Sequence, residues 1–454
     1  VASPLTLLQQ RATEDWFIGD RADRFNLLAD ERFRQLQQRQ FPATILLAES
    51  DPIDFLASFL AAIASGCSLF LGNPRWQQQE WQEVLEIAQP DLVWGNIPSL
   101  HHVPHPSHPS PLSSSILIPT GGSSGKLRFA IHTWDTLNAS VEGFYGYFGS
   151  QPVNSFCTLP LYHVSGLMQF LRSFLTGGRL LIWPYKFLKE GDRGPIHPED
   201  FFISLVPTQL QFLLDTAPVW LSRFRTVLVG GAPIWPDLRD RARKHQIKLA
   251  PTYGMTETAA QVVTLQPQDF LAGNNSSGRV LPHAEVTVEN ERENIWESDR
   301  IGTIYIRSNS LCFGYYPETS QSELSQNNRF STDDLGYFDS QGYLHVVGRS
   351  STKIITGGEN VFPAEVEAAI LSTQLVSDVC TIGVGDRVWG EAIFAVYTSQ
   401  QLNLSPAILK AALESKLSSF KIPKYWLQVE KLPRNERGKI NYSEVEKLAL
   451  QLLI

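Results

Sequence analysis

The chain of 454 residues contains only four cysteines, Cys67, Cys157, Cys312 and Cys380. They are far apart and form no Cys-x-x-Cys pair. That argues against a cysteine-based zinc site or a disulfide framework and fits a reducing cytosol. Excess positive charge is also missing. The formal net charge is −8, so no broad nucleic-acid footprint is expected, although local basic loops could still grip a nucleotide. Long apolar runs are lacking too. The most apolar window, Phe55 to Leu71, is interrupted by Ser58, Ser65, Gly66 and Ser68. It reads as a buried helix running into a strand, Cys67 to Leu71, rather than as a membrane span. No N-terminal stretch joins a basic start, an apolar core and a small-residue cleavage site, so no secretory leader is expected. What is there, 43% hydrophobic and 19% charged residues, is an ordinary globular composition with ample core and length for two or more domains.

Residues 1 to about 50 read as a helical opening, with Leu27, Leu28, Phe33 and Leu36 at roughly helical spacing, followed by a short strand from Thr44 to Leu47. A polar helix from Trp76 to Ala88 and a strand from Asp91 to Trp94 follow the Phe55–Leu71 unit. This alternation of strand and helix predicts a mostly parallel sheet with helices on its faces. The loop from Ile97 to Ser115 carries His101, His102, His105 and His108 among prolines. Proline prevents a regular ligand geometry and no Cys or acid accompanies them, so an exposed approach loop is expected rather than a metal site.

That loop leads into Ser113 to Arg128, Ser-Ser-Ser-Ile-Leu-Ile-Pro-Thr-Gly-Gly-Ser-Ser-Gly-Lys-Leu-Arg. Ile116 to Ile118 reads as a buried strand end that stops at Pro119. Thr120, Gly121, Gly122, Ser123, Ser124 and Gly125 then offer backbone N–H groups unobstructed by Cβ atoms, and hydroxyl donors besides. Lys126 and Arg128 supply positive charge, so the chemistry is that of a phosphate-gripping loop. It lacks the Walker A pattern, because Thr120 and Leu127 stand where that motif needs Gly and Ser or Thr. A flexible Gly/Ser linker is the competing reading of this stretch alone.

Further segments weigh against the linker. They are Pro251-Thr-Tyr-Gly-Met-Thr-Glu257, Ser331-Thr-Asp-Asp-Leu-Gly-Tyr337 closed by Gly348-Arg349, Gly357-Gly-Glu-Asn-Val-Phe-Pro-Ala-Glu365, and Pro433-Arg-Asn-Glu-Arg-Gly-Lys439. In this order they resemble the adenylate-forming superfamily of acyl- and aryl-CoA ligases, peptide-synthetase adenylation domains and firefly-type luciferases. The resemblance runs from about Ser113 to Asn441. It implies an α/β fold with a large N-terminal domain, residues 1–350, of mostly parallel sheets flanked by helices plus a small β-barrel. A small mobile α+β lid, residues 351–454, follows a boundary at Gly348–Thr352. The pattern after Gly278 agrees, with short alternating strands at Ala284–Val288, Gly302–Arg307 and Tyr343–Val347. In the lid, strands are expected near Lys353–Ile355, Cys380–Val384 and Ala392–Tyr397, with helices opened by Pro363 and spanning Ala407–Leu417.

The resemblance also assigns roles. Thr120 to Lys126 would hold the β- and γ-phosphates of ATP. The Gly230-Gly231-Ala232-Pro233 segment, after a strand from Thr226 to Val229, would contact adenine. Within Thr252, Tyr253, Gly254, Met255 and Thr256, Tyr253 offers an aromatic face, and Thr256 with Glu257 offers oxygens to phosphate and Mg²⁺, as does Thr120. A single carboxylate suffices, since Mg²⁺ keeps several waters. His163, in Pro160-Leu-Tyr-His-Val-Ser-Gly166, sits past a strand end, where α/β sheets place ligand contacts. Alone it would read as structural; the resemblance puts it at the acyl pocket. Thr208 and Gln209 either add pocket polarity or open a helix with Thr208 as cap. Asp334 matches the carboxylate that grips the ribose and Arg349 its basic partner, whereas a turn aspartate is the plain alternative. Asp333 stands where the family has Gly, and Ser351 where it often has a hinge Asp or Lys. Lys439, otherwise a solvated charge, matches the adenylation lysine.

The implied reaction is attack of a carboxylate on the α-phosphorus of ATP, then displacement of AMP from the acyl-adenylate by coenzyme A, with lid rotation between the steps. The Gly-Gly-Ser-Ser-Gly-Lys-Leu-Arg variant, Leu159–Gly166 and Gly357–Glu365 most resemble the o-succinylbenzoate–CoA ligases of menaquinone and phylloquinone synthesis. The competing readings are another aryl- or fatty-acid–CoA ligase, a carrier-loading adenylation enzyme, a luciferase-like monooxygenase, and a nucleotide-binding protein without chemistry.

Overall fold

The computed structural model describes residues 4–11, 14–19, 22–97, 114–121, 127–289, 300–317, 324–325, 329–356, 359–386, 388–401, 403–434 and 440–453. Two apolar sheets organise the first part of the chain. In the six-stranded sheet, Thr44–Leu47 lies between Ser68–Leu71 and Leu92–Trp94, parallel to both. Thr44–Leu47 and Ser68–Leu71 are short and buried throughout, and apolar apart from Thr44 and Ser68, because both of their faces are covered. The helix Pro52–Ala64 makes the first crossover. Asp51 caps it, its carboxylate accepting the N–H groups of Ile53 and Asp54, and Pro52 stands where the missing N–H costs nothing.

Ser68–Leu71 also pairs in parallel with Ile116–Gly121. The strand does not stop at Pro119, as its sequence implied. It runs on to Gly121 and turns back as Leu127–His132, with Pro119 opposite Phe129 and Gly121 opposite Leu127. Proline is tolerated there because Ser68–Leu71 pairs only with Ile116 and Leu117, so the side of Pro119 that lacks a donor faces no ladder. The phosphate-loop residues Gly122 to Lys126 thus join two strands of a hairpin, and they lie outside the described residues, as do His101, His102, His105 and His108.

The seven-stranded sheet has a parallel core, from Leu180–Ile182 through Asn154–Cys157, Phe201–Leu205 and Thr226–Val229 to Leu249–Met255. Ala260–Thr264 and Arg279–Val280 close one edge antiparallel. The next strand, Leu249–Met255, runs through Pro251, Thr252, Tyr253 and Gly254. Its first half pairs in parallel with Val227 to Val229 and its second half antiparallel with Ala260 to Thr264. The change of partner carries extended backbone beyond the parallel core. Helices Trp134–Tyr147 and Val164–Thr176 pack a core of Phe, Leu and Trp side chains that includes Trp16, Phe59, Phe170 and Phe174.

A third sheet of five strands contains Ala284–Glu289, Gly302–Ser308, Arg329–Phe338 and Leu344–Arg349. A fourth belongs to the C-terminal part. There the hairpin Asp378–Asp386 with Gly390–Thr398 is flanked by Ile354–Thr356 and by Tyr425–Gln428, which is parallel to its neighbour. The helices Pro363–Leu371, Pro406–Leu413 and Tyr442–Leu453 complete it. Compactness divides the chain into residues 1–232, 245–286 and 306–331 on one side and 233–244, 287–305 and 332–454 on the other. The cuts at 286, 305 and 331 fall within strands of the third sheet. Compactness therefore draws a different line from the expected Gly348–Thr352 boundary. Among the described residues no helix is long and apolar enough to cross a membrane.

Candidate functional site

In the first unit the site grows from the end of the Leu249–Met255 strand. Thr252 Oγ1 donates to the carbonyl of Val229 at 3.2 Å, which lays its side chain across the start of the Gly230–Gly231 turn. A Cβ on Gly230 would stand 2.3 Å from that oxygen, and Gly231 has φ +81°, so both positions suit glycine alone. Gly231 and Ala232 are exposed; Tyr253, Gly254, Met255 and Thr256 are partly buried. Beyond Met255 the chain makes one tight turn, Thr256–Thr258, and leaves it through Ala259 and Ala260, both with positive φ, 50° and 91°. Such backbone costs of order 1–3 kcal/mol per residue and persists only where neighbours hold it. Here Ser140 Oγ donates to the Ala259 carbonyl and Thr258 Oγ1 to that of Ala260.

The turn exists to present Glu257, which is only 6% exposed. Its Oε1 accepts the hydroxyl of Tyr315 at 2.9 Å and that of Thr120 at 3.4 Å. Thr120 and Glu257 are 137 residues apart in sequence, so the fold joins the phosphate-loop strand to the strand–turn carboxylate. Burial, then the nearby Glu257 carboxylate, push the Tyr315 hydroxyl well above its usual range, so it stays a donor. The Arg128 guanidinium lies 3.7 Å from the centre of the Tyr315 ring, a cation–π contact that packs this side of the turn. From beneath, His132 Nε2 meets the Thr256 carbonyl at 2.8 Å. A carbonyl only accepts, so Nε2 carries the proton. Burial lowers the ring's pKa to about 4, which keeps it neutral.

His163 is the N-cap residue of Val164–Thr176, just beyond the C-terminal end of Asn154–Cys157, and is partly exposed with its ring 4.6 Å from that of Tyr162. Further along the same helix is Arg172, 4% exposed. Its Nη2 donates to Gln261 Oε1 at 2.6 Å and its guanidinium lies over Phe144 at 4.1 Å. No acidic residue pairs with it among the described residues, and burial lowers its pKa to about 9. Its Nε and the Gln261 Nε2 are buried with no hydrogen-bond partner among the described residues, as are both ring nitrogens of His283. Burial and the nearby Arg172 lower the His283 pKa to about 4.

In the second unit, Asp334 and Arg349 face each other across Arg329–Phe338 and Leu344–Arg349, Nε to Oδ1 at 3.3 Å, with Asp334 9% exposed. Next to them Asp333 holds Ser350 and Ser351. Its Oδ1 accepts the Ser351 N–H at 3.0 Å, its Oδ2 the Ser351 hydroxyl, and its carbonyl the Ser350 N–H at 2.8 Å. Pro233 is exposed, and Lys439 lies outside the described residues, as do Gly357 and Gly358.

The sequence model for AMP-binding enzymes matches residues 97–316, and that for the AMP-binding enzyme C-terminal domain matches residues 365–439. The 2-succinylbenzoate–CoA ligase of Listeria monocytogenes serotype 4b is 32% identical over 334 residues, which is 72% of this chain and 68% of that protein. The chain belongs to the AMP-binding enzyme family. A second member, the 2-succinylbenzoate–CoA ligase of Bacillus subtilis strain 168, is 28% identical over 383 residues, covering 83% of this chain and 77% of that one. Among solved structures, o-succinylbenzoate coenzyme A synthetase from Bacillus subtilis with its acyl-adenylate intermediate superposes with a TM-score of 0.88 at 24% identity, over 98% of both chains. The same enzyme with ATP and magnesium ion gives 0.82 at 25% identity, over 97% of this chain and 99% of that one. The α/β fold with a large first domain and a small C-terminal one is thus that of AMP-binding enzymes.

Thr208 does not cap its helix. Pro207–Thr216 has Val206 at the N-cap position, and Gln209 folds back to accept the Val206 N–H at 3.1 Å. A Pro at N1 shifts the start of the helix one residue ahead of the hydroxyl. Tyr315, Arg172, Gln261 and His283 escaped the sequence reading of this AMP-binding enzyme. Their neighbours lie far off in the chain (Tyr315 is 58 residues from Glu257 and Arg172 is 89 from Gln261), so no local spacing marks them.

Proposed function

We propose that the protein is an AMP-forming acid–thiol ligase that converts o-succinylbenzoate, ATP and coenzyme A into o-succinylbenzoyl-CoA, AMP and pyrophosphate, in menaquinone or phylloquinone biosynthesis. The observation that carries this reading is the meeting of Thr120 with Glu257 beside the Tyr315 hydroxyl. A hydroxyl and a carboxylate are hard oxygen donors of the kind Mg²⁺ takes. Bound there, Mg²⁺ would neutralise phosphate oxygens. Tyr315 would hold the Glu257 carboxylate in one orientation, Gly230 to Pro233 and Tyr253 would seat adenine, and Asp334 with Arg349 would take the ribose. The substrate carboxylate then bonds to the α-phosphorus and pyrophosphate leaves. Lys439 would balance the charge that shifts onto the transferring group. In the second step the coenzyme A thiolate bonds to the acyl carbon and AMP leaves. We place the rotation that separates the steps at Gly348–Thr352. The four cysteines are unpaired and buried, which supports a reducing, cytosolic setting.

Arg172 favours this acid over a fatty or simple aryl acid. A buried guanidinium without an acidic partner is unfavourable in the free protein. A substrate with a second carboxylate supplies the missing charge. The test is ATP- and coenzyme A-dependent pyrophosphate release with o-succinylbenzoate, benzoate and a medium-chain fatty acid, in the native chain and in Arg172→Met. Release with o-succinylbenzoate, and a rise of about 10²-fold in its KM in the variant, is the expected result. Turnover of a monoacid that Arg172→Met leaves unchanged, with none of the diacid, discards this substrate and keeps the mechanism.

A further inference from the structure

Three strands of the six-stranded sheet present one face to the Thr256–Thr258 turn. Thr120 lies directly opposite Arg128 in the hairpin of Ile116–Gly121 with Leu127–His132. Tyr315 lies opposite Ala130 across the next ladder. Residues opposite one another, and residues two apart along a strand, share a face. Thr120, Arg128, Tyr315 and His132 are therefore on the same face. Thr120 and Tyr315 reach Glu257 through their hydroxyls, and Arg128 covers the Tyr315 ring. His132 reaches the backbone of the turn instead.

His132 is fully buried at the last position of its strand. Its Nε2–H donates to the Thr256 carbonyl at 2.8 Å, and its Nδ1 lies 3.0 Å from the Thr136 hydroxyl, in the first turn of Trp134–Tyr147. The Thr256 carbonyl also accepts the Ala259 N–H at 3.1 Å, which closes the turn on itself. The imidazole is thus not needed to satisfy that oxygen. What it adds is a tie from the turn to the hairpin. The next two carbonyls are tied elsewhere, that of Glu257 to the Cys312 N–H at 2.8 Å and that of Thr258 to the Ser310 hydroxyl at 2.9 Å. Both donors come from the segment that leads into Tyr315. Of these backbone ties, the one from His132 comes from the hairpin that carries Thr120. Thr120 and Glu257 are 137 residues apart in the chain, so a rigid ring between hairpin and turn holds them to one spacing. Mg²⁺ demands near-ideal geometry of its oxygens, and a small change in that spacing is felt.

We propose that His132 is a positioning residue for the magnesium-dependent half-reaction: by tying the Thr256 carbonyl to the Thr120 hairpin, it sets Glu257 and Thr120 at the spacing that ATP with Mg²⁺ needs. This rests on the reading of Thr120 and Glu257 as the oxygens that take Mg²⁺.

The test uses the full chain and three variants. His132→Leu keeps much of the buried volume and removes both nitrogens. His132→Gln restores a donor near the place of Nε2. Thr136→Val removes the hydroxyl that meets Nδ1 and loosens the choice of tautomer. Titration calorimetry reads ATP affinity with excess Mg²⁺ and with EDTA. The native chain should bind more tightly with Mg²⁺. In His132→Leu that preference should shrink by about three- to tenfold, the loss of one hydrogen bond, with affinity in EDTA unchanged. His132→Gln should regain most of it, and Thr136→Val should lose part of it; should His132→Leu not fold, Thr136→Val decides by the same two titrations. Pyrophosphate release with o-succinylbenzoate and ATP should need correspondingly more Mg²⁺ for half-saturation in His132→Leu. Thioester formation from coenzyme A and supplied o-succinylbenzoyl-adenylate should keep the native rate, because that compound has no β- or γ-phosphate for the metal to hold. A native Mg²⁺ preference in the variants, an equal fall of affinity with Mg²⁺ and with EDTA, or equal loss of both half-reactions would overturn the proposal. Glu257→Gln tests the underlying reading, and it should abolish the Mg²⁺ preference. If the preference survives that substitution, the reading of Glu257 fails and the proposal falls with it; if it is abolished while His132→Leu binds as the native chain does, the proposal alone fails.

Discussion

Single residues carry the chemistry through contacts that neighbours impose. Tyr315 is the clearest case, since its hydroxyl donates to Glu257 and stays protonated. Tyr315→Phe keeps the ring that Arg128 covers and removes only that donor. A hydrogen bond to a charged group is worth about 1.5–3 kcal/mol, so steady-state pyrophosphate release should fall roughly ten- to hundredfold while the fold persists by circular dichroism. Arg172 makes a different prediction. Because it is buried without an acid, Arg172→Met should leave the free protein as stable as before or more so. Its thermal midpoint without substrate checks this, and a clear fall would mean that Gln261 and Phe144 already satisfy the charge. Glu257, Tyr253 and Asp334 could be picked out in the sequence because they sit in contiguous motifs. Tyr315 and Arg172 could not, because their roles come from residues on other strands and helices.

At the scale of elements, the Gly230–Gly231 turn and the Leu249–Met255 strand fit one another atom by atom. Gly230→Ala would drive a Cβ into Thr252 Oγ1. The turn, and whatever it seats, must then move, and ATP affinity should fall by about tenfold, an overpacking penalty of 1–3 kcal/mol. Thr252→Ala in the same chain should restore much of it. Titration calorimetry with ATP on the two variants and the native chain decides, and failure of the rescue would place the glycine's role in its dihedral angles alone. The Thr226–Val229 strand was legible as a pure β run, and the helix–strand order before it likewise. The run of the Ile116–Gly121 strand past Pro119 was not, because that extension is held by an antiparallel partner that joins only in the folded sheet.

At the scale of the whole molecule, the C-terminal part has a pH dependence of its own. Glu367 on the helix Pro363–Leu371 accepts the Thr381 N–H and hydroxyl. Burial pushes its pKa from 4.5 up to about 7, with Asp378 adding to the rise and Arg434 opposing it. The folded state therefore keeps a proton that the unfolded chain releases. Stability on this account is full below about pH 4.5 and is lost as pH rises through about 7. Glu367→Gln keeps an acceptor for Thr381 and cannot ionise. Between those limits its thermal midpoint should stop declining, a difference of about 1–2 kcal/mol at pH 8. A native-like slope in the variant would assign the titration to another group.

By itself the sequence determined the fold class, the order of elements and the family. Those rest on hydrophobic period, turn residues and contiguous motifs, all of which are local. It also marked the residue types suited to a nucleotide, because phosphate and Mg²⁺ demand donors and hard oxygens whatever the scaffold. Only the tertiary structure decided that Thr120 meets Glu257, that the Tyr315 hydroxyl donates to that carboxylate, that Arg172 is buried with no acidic partner among the described residues, and that Arg434 pairs with Asp378. Each of these is a contact between distant segments, and such contacts follow from how sheets and helices pack rather than from the spacing of residues along the chain.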